Sequence, residues 1–382
     1  MTSRNNWFEA NPKKSLASII IIAFLIIDFS LAAALKIVGL FEPSYVTSSF
    51  REAHYRTAHP VYHHDLVKNI NEYTAEWGKQ DYQISTNSLG FKDSSSRAIP
   101  LTVKNKRILL IGDSFTEGVG VKFDQTFAGL LQKNLVNQNI DVLNAAVSSY
   151  SPIIYYRKIK YLIETVGLKF DSVIVLLDLS DIEDEALGYQ FDSHDNVISQ
   201  GSAANLGAAE PVQKTNKLKP AMNVKEFFTQ YTYFLGRLRN VSAALKAKTR
   251  HWEGALNQRR AKWTLDDNLY NEFGKKGLTI AAQHMSQLKT YLEHRHIPLT
   301  LAVYPWPDQI FNNDIESKHV IFWQNWSKQN KVDFINLFKV FIPSSNPEKT
   351  IRKHYINGDV HWNIAGHQAI YEALKPRIAT KN

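Results

Sequence analysis

After a short polar start, the chain runs apolar over residues 16–40, LASIIIIAFLIIDFSLAAALKIVGL, with only Asp28 and Lys36 charged. About twenty helical residues at about 1.5 Å rise cross the roughly 30 Å hydrocarbon core of a bilayer. The run therefore predicts a transmembrane helix. Residues 41–100 show no sustained period and predict a polar stalk. From Arg107 the pattern becomes regular. RILLIG, ending at Gly112, reads as a buried strand. Residues 123–135 carry Phe127, Leu130, Leu131 and Leu135 on one helical side, with Asp124 as the expected N-cap. A second strand is expected at 140–143. A helix at 152–166 opens at Pro152 and closes at Gly167, and a third strand, SVIVLL, follows at 172–177. The rhythm breaks over 182–262. It returns as helix 271–296, strand 298–304, helix 315–328, strand 332–337 and a last helix at 364–378, whose end Pro376 disturbs.

Strands alternating with helices argue for a parallel sheet covered on both faces. The expected fold is α/β: a three-layer α/β/α sandwich with a mostly parallel five-stranded sheet, behind one N-terminal transmembrane helix. The expected organisation is a cytoplasmic tail at 1–15, the anchor at 16–40 and a stalk and entry region at 41–100. The body follows in two parts, 101–181 and 263–382, divided by an insertion at 182–262. That insertion contains GSAANLGAAE and the basic, aromatic FFTQYTYFLGRLRNVSAALKAK. A lid, a substrate-binding element and a membrane-contacting surface are the alternatives for it.

Charge sets the orientation. Arg4, Lys13 and Lys14 precede the apolar run against Glu9 alone. The positive-inside bias puts the N-terminus in the cytoplasm and the body in the bacterial periplasm, held at the inner membrane. A cleaved signal peptide is the rival, kept open by Ala32, Ala33 and Ala34, but the run is long for one. Asp28 stands at mid-depth, where a carboxylate costs on the order of 2.5–3.5 kcal/mol. It is either protonated or lifted toward the interface, or it meets a polar group on a partner helix within a membrane complex.

The 382 residues are 44% hydrophobic and 21% charged, proportions of a globular chain. The formal charge of +9 is spread without a Lys/Arg block, and no nucleic-acid partner is expected. With no cysteine, thiolate catalysis and cysteine-ligated metals are excluded. His54, His59, His63 and His64 lack a metal-binding frame and read as packing or surface histidines. No cofactor or metal is expected.

Two segments carry chemistry. IGDSFTEGVG, residues 111–120, places Ser114 just past a strand at the carboxyl edge of the sheet, where open α/β folds bind ligands. GDVHWNIAGHQAI, residues 358–370, places Asp359 and His361 two positions apart before a helix. A serine hydroxyl needs an imidazole to take its proton, and the imidazole needs a carboxylate to orient it. Ser114, His361 and Asp359 can fill those roles, or they can be a turn serine, a surface histidine and a capping aspartate. His367 reads as structural. Trp306, in YPWP, and Trp362 lie beside predicted strand ends, where their rings could stack on a sugar or simply pack.

Together these segments resemble the SGNH, or GDSL, hydrolase superfamily. More narrowly they are similar to its membrane-anchored bacterial branch, which carries an NSLGF[RK]D segment, here NSLGFKD at 87–93. The resemblance covers roughly 85–180 and 298–378. It implies a flavodoxin-like sheet, Ser114 as nucleophile, His361 as base and Asp359 as orienter. It also implies an oxyanion site built from the N–H groups of Ser114 and Ala146, in VLNAAVSSY, and from residue 180. The family's third block usually reads GxND; here it is DLSD, so Ser180 stands where asparagine is expected. The implied activity is acyl transfer on a cell-envelope glycan, as an esterase or an O-acetyltransferase. A multipass acyltransferase that meets Asp28 would be the partner. The alternative is a non-catalytic polysaccharide-binding or assembly protein on the same fold.

Overall fold

A computed structural model describes residues 10–37, 54–77, 80–200, 232–234, 252–342 and 345–379. The chain divides into two units, Met1–Phe50 with Gln213–Arg250, and Arg51–Val212 with His251–Asn382.

In the first unit, Pro12–Ile37 is helical and, among the described residues, the one helix long and apolar enough to cross a membrane. Leu16, Ile19, Ile22 and Ile26 lie on its exposed surface, which a bilayer would cover. Asp28 is fully buried. Its Oδ1 accepts the backbone N–H groups of Tyr233 at 2.7 Å and Phe234 at 2.6 Å, and the Phe24 and Phe234 rings lie 6.4 Å apart. The carboxylate is thus taken up within the chain. Two backbone donors offset part of the cost of burying it.

The second unit is built on a five-stranded sheet of β6 (Lys106–Gly112), β7 (Ile140–Asn144), β8 (Ser172–Leu177), β11 (Leu299–Val303) and β12 (Asp333–Asn336). The spatial order is β12-β11-β8-β6-β7, and every pairing is parallel. β8 and β11 read SVIVLL and LTLAV; their β-branched residues suit a pleated sheet buried on both faces. Helix Phe127–Leu135 packs against Ile364–Ala379, and Pro152–Tyr161 against Lys275–Glu293. The chain leaves β6 for β7 on one side and then crosses to β8 on the other. Strand order therefore reverses next to the end of β6, the crevice where such sheets bind ligands.

Several local expectations are corrected. Thr126, not Asp124, caps helix Phe127–Leu135, its hydroxyl accepting the Gly129 N–H; Asp124 lies in the preceding 3₁₀ turn. Pro376 lies inside the last helix without ending it.

The larger correction concerns residues 54–100, which are not a stalk. β1 (Arg56–His59) pairs with β2 (His63–Leu66), and β3 (Tyr73–Trp77), β4 (Gln80–Thr86) and β5 (Lys92–Asp93) form an antiparallel sheet. Tyr55, Ile84 and Phe91 are buried in the core of the body. Buried charge ties these strands in. Arg56 donates to both oxygens of Glu117, at 3.0 and 3.1 Å. Lys92 donates to the carbonyls of Gly118 and Val121, and Lys158 reaches Asp65 at 2.9 Å. The expected insertion is also divided. Its described ends, including β9 (Tyr189–Phe191) and β10 (Val197–Ser199), belong to this unit and residues 232–234 to the first, while residues 201–231 and 235–251, where the lid or substrate-binding element is expected, lie outside the described residues.

Glu117 is fully buried and closes the helical turn that carries Ser114. Removing Arg56 leaves that carboxylate without its cation. Arg56→Ala is expected to cost about 3–5 kcal/mol, read from denaturant unfolding. The double variant R56M/E117Q, which removes both charges, is expected to recover most of that loss.

Candidate active site

The turn after β6 is set by its residues. Asp113 is the N-cap of the short helix Ser114–Glu117, its Oδ1 accepting the Phe115 N–H at 3.0 Å. Gly118 ends the helix with φ 79°, the left-handed region that favours glycine. Ser114 stands at the first helical position, 6% exposed.

The second segment arrives through a tight loop. Tyr355 and Trp362 form an antiparallel bridge. Ile356 N donates to the His361 carbonyl, Asp359 N donates to the Ile356 carbonyl, and Gly358 takes φ 73°. This loop delivers Asp359 and His361 on one side. His361 Nδ1 lies 2.6 Å from Asp359 Oδ1, which also accepts the His361 backbone N–H at 2.9 Å. His361 Nε2 lies 2.8 Å from Ser114 Oγ, across 247 positions of sequence. A carboxylate on Nδ1 keeps a hydrogen there and leaves Nε2 free to accept from the serine.

Charge supports that tautomer. Burial works against a charged His361, but the Asp359 carboxylate and its hydrogen bond outweigh it, and the imidazole sits above its ordinary value. Burial would push Asp359 up, yet the His361 charge and the bonds it receives hold its carboxyl at about 2. Trp77, at the end of β3, packs edge-on against the His361 ring at 4.9 Å. Its indole N–H lacks a partner of full hydrogen-bond geometry but approaches Asp359 closely enough to help hold the carboxyl low.

The expected oxyanion donors are not arranged alike. The Ala146 N–H donates to Asn144 Oδ1 at 3.2 Å, a long bond, while Asn144 Nδ2 donates to the Thr116 carbonyl. Ser180 is buried, its backbone N–H donating to Asp178 Oδ1 at 2.7 Å. Trp306 and Trp362 do not present their rings as open stacking faces. They are 5% and 1% exposed. Trp306 Nε1 donates to Asp178 Oδ2 at 2.7 Å, and Trp362 packs against Phe115, Tyr304 and Phe341 beneath the site. His367 lies under the same layer, with Nδ1 3.4 Å from Phe127 N, and burial lowers it to about 3.

Asp113, Asp178 and Asp181 were not singled out together by the sequence. Their carboxylates converge, all buried, with ligand atoms within 4.8 Å of one another. By donor type they are, among the described residues, the one group that could hold a metal ion. Most of their oxygens already accept protein hydrogens. Tyr304 OH and Phe115 N donate to Asp113, Ser180 N and Trp306 to Asp178, and Tyr155 OH and Asp178 N to Asp181. Only Asp181 Oδ1 has no partner. Burial and then Asp178 push Asp113 up to about 7, and burial with both neighbours pushes Asp181 well above the ordinary carboxylate range. Protons held within the group relieve its repulsion.

These raised carboxyls make a stability prediction. A group whose folded pKa is raised stabilises the fold below its unfolded value, and that contribution is lost as pH rises through the folded value. The thermal midpoint of the body is expected to fall as pH rises through about 7. Asp181→Asn keeps an acceptor for Tyr155 while removing one charge. It is expected to flatten that fall, measured by thermal unfolding between pH 5 and 9.

No protein-family model and no curated protein matches the chain. Among solved structures, an acetyl xylan esterase is similar over 71% of this chain and 99% of its own, at 12% identity and a TM-score of 0.40. A GDSL-like lipase from Bacteroides thetaiotaomicron is similar over 74% and 93%, at 12% identity and 0.36. An SGNH-hydrolase family esterase is similar over 73% and 98%, at 12% identity and 0.33. Likeness this slight carries no weight for activity, which must rest on the chain's own geometry.

Proposed function

We propose that this chain is a serine-dependent acyl-transfer enzyme, an esterase or O-acetyltransferase acting on a cell-envelope glycan. In this reading its body faces the periplasm from an inner-membrane anchor. The observation that carries the proposal is the run of contacts from Asp359 through His361 to Ser114, at 2.6 and 2.8 Å. Two segments remote in sequence meet with donor and acceptor atoms in the order that nucleophilic catalysis requires.

His361 Nε2 takes the Ser114 proton as Oγ bonds to the ester carbonyl carbon. The tetrahedral intermediate then collapses, and the leaving oxygen takes the proton from His361. Water or a sugar hydroxyl repeats the sequence on the acyl-enzyme, giving hydrolysis or transfer. The N–H groups of Ser114 and Ala146, with Ser180, are the proposed oxyanion donors; Ala146 would have to exchange Asn144 for the substrate. Ser114 Oγ also faces Asp113 Oδ2 at 3.1 Å. With Asp113 protonated, its hydroxyl can donate to Ser114, which leaves the serine hydrogen directed at His361. A recess of about 270 Å³ is lined by Gln80, Gln83, Gly120 and Lys122 among others, and Gly120 lies close to Trp77. The side-chain amides of Gln80 and Gln83 suit sugar hydroxyls. A multipass partner remains part of the proposal, but Asp28 is engaged within the chain, so that partner would meet the exposed apolar face of the anchor instead.

One observation favours the second reading, a non-catalytic glycan-binding or assembly protein: the Ala146 N–H is already committed to Asn144. A fluorophosphonate separates the two. The catalytic reading expects a covalent adduct on Ser114, lost in Ser114→Ala, with ester turnover falling about 10⁴-fold or more. A folded chain that forms no adduct and turns over no ester establishes the binding reading. Ser180→Ala is expected to lower turnover on the order of 10²-fold.

The pH profile is a further check. The base must be neutral, and its pKa lies above the ordinary histidine value. Turnover is therefore expected to rise with pH through an apparent pKa above 6.5. Asp359→Asn removes the charge that raises it. The inflection should move to lower pH, and the plateau should fall on the order of 10⁴-fold.

A further inference from the structure

The body holds a second serine–imidazole contact. Ser199, the last residue of β10, is partly exposed and places its Oγ 2.8 Å from His63 Nε2. His63 Nδ1 lies 2.8 Å from His64 Nδ1, and His64 Nε2 lies 2.8 Å from the Ser148 carbonyl oxygen. The role of each ring nitrogen follows from the far end of this chain. A carbonyl oxygen only accepts, so His64 Nε2 carries a hydrogen. Burial holds both imidazoles below their ordinary value, His64 strongly, and the cations of Arg56 and Lys158 act on His64 in the same direction. A neutral His64 with its hydrogen on Nε2 has a bare Nδ1. His63 must donate to it from Nδ1, which leaves His63 Nε2 bare. The one hydrogen left to fill the last contact is the Ser199 hydroxyl proton, directed at a nitrogen able to take it.

The backbone adds a second observation. His63 takes φ 79°, a region that non-glycine residues seldom occupy and that costs on the order of 1–3 kcal/mol. Such strain persists where the surroundings over-determine it. Here the β1–β2 register pairs His63 with His59, and the Tyr189 ring packs edge-on against the imidazole at 5.0 Å. In this conformation the imidazole meets Ser199 Oγ.

We propose that Ser199, His63 and His64 form a second reactive-serine site, one that accepts the acyl group of a small activated ester. Ser199 Oγ bonds to the carbonyl carbon as its proton passes to His63 Nε2. The ester C–O bond breaks, and the leaving oxygen takes that proton, so an alcohol departs and Ser199 remains acylated. His64 orients His63 as Asp359 orients His361, but through a neutral ring that stabilises the imidazolium less. Acylation of Ser199 is accordingly slower than a carboxylate-backed serine would show.

The test uses the full chain in detergent, carrying Ser114→Ala, with a fluorophosphonate and separately with p-nitrophenyl acetate. Adducts are located by peptide mass spectrometry. The expected result is an adduct on Ser199, absent in S114A/S199A and formed about 100-fold more slowly in S114A/H63N. Asparagine tolerates positive φ and spares the turn. An S114A chain with native circular dichroism and no Ser199 adduct overturns the proposal, as does an adduct that forms equally fast in S114A/H63N. The unaltered chain keeps the two readings apart. After prolonged labelling in excess reagent, label on Ser114 alone overturns this one, and label on Ser199 alone overturns the proposed role of Ser114.

Discussion

The body is organised around the strand-to-helix turn at 112–118, which buried groups hold from several directions. A Cβ on Gly112 would lie 2.7 Å from the Leu176 carbonyl oxygen, so β6 runs hard against β8 at the point where the chain turns. Asp113 caps the helix and receives Tyr304 from the end of β11. Glu117, at the other end of the turn, receives Arg56 from β1 and the Ser148 N–H from the loop after β7. Lys92 closes the far side on the carbonyls of Gly118 and Val121, and burial lowers its ammonium to about 7. The Arg56–Glu117 pair and Lys92 are ionisable groups out of water, and each is costly unless its partner stays in place. The cost of moving any one of them keeps the Ser114 hydroxyl where a remote loop can meet it.

The same economy of charge shapes the chemistry available. The underside of the site is rich in carboxylates: Asp113, Asp178 and Asp181, with Asp184 beyond them held up to about 6 by burial against its bond to Arg260. Negative charge there favours an imidazolium at His361, whose value Asp113 and Asp178 help to raise after Asp359. It disfavours an oxyanion. A protonated Asp113 reconciles the two demands in part, because it withdraws one charge and supplies a donor beside Ser114. The aromatic layer of Phe115, Tyr304 and Trp306 completes the arrangement by capping carboxylates with O–H and N–H groups rather than with water.

How much of this could be read from the sequence follows from the range of each interaction. The strands of the main sheet are short apolar runs bounded by turn residues, and β6, β8 and β11 fall within a residue of their expected bounds. The segments that meet at Ser114 were visible because each carries its chemistry locally. The packing of residues 54–100 was not legible because their strands are short, polar and antiparallel, and the partners that bury their charges lie far off: Arg56 finds Glu117 61 positions away, and Asp65 finds Lys158 93 away. Nothing local marks Trp77 as a neighbour of His361. Trp306 and Trp362 were legible as lying near the site but not as turned inward, since a ring's facing depends on the layer packed over it. Asp28 signalled that it needed a partner, but that partner comes 205 positions later in the same chain. His63 and His64 looked like ordinary packing histidines because Ser199 is 136 positions away.

The contacts of Ser114 with His361 and of Ser199 with His63 differ in one respect that physics makes decisive. Both place a hydroxyl 2.8 Å from an Nε2, and in both a hydrogen on Nδ1 fixes which nitrogen is bare. Behind His361 stands a carboxylate, and the imidazole rises above its ordinary value. Behind His63 stands another buried imidazole, and His63 falls below it. Proton transfer from a serine costs least when the imidazolium it creates is stabilised. The Asp359 charge does this directly at short range in a water-poor site, whereas His64 offers a lone pair and a dipole. An orienting group therefore does more than select a tautomer. Its charge also sets how far the proton can move, and that is the respect in which the roles proposed for Ser114 and Ser199 differ.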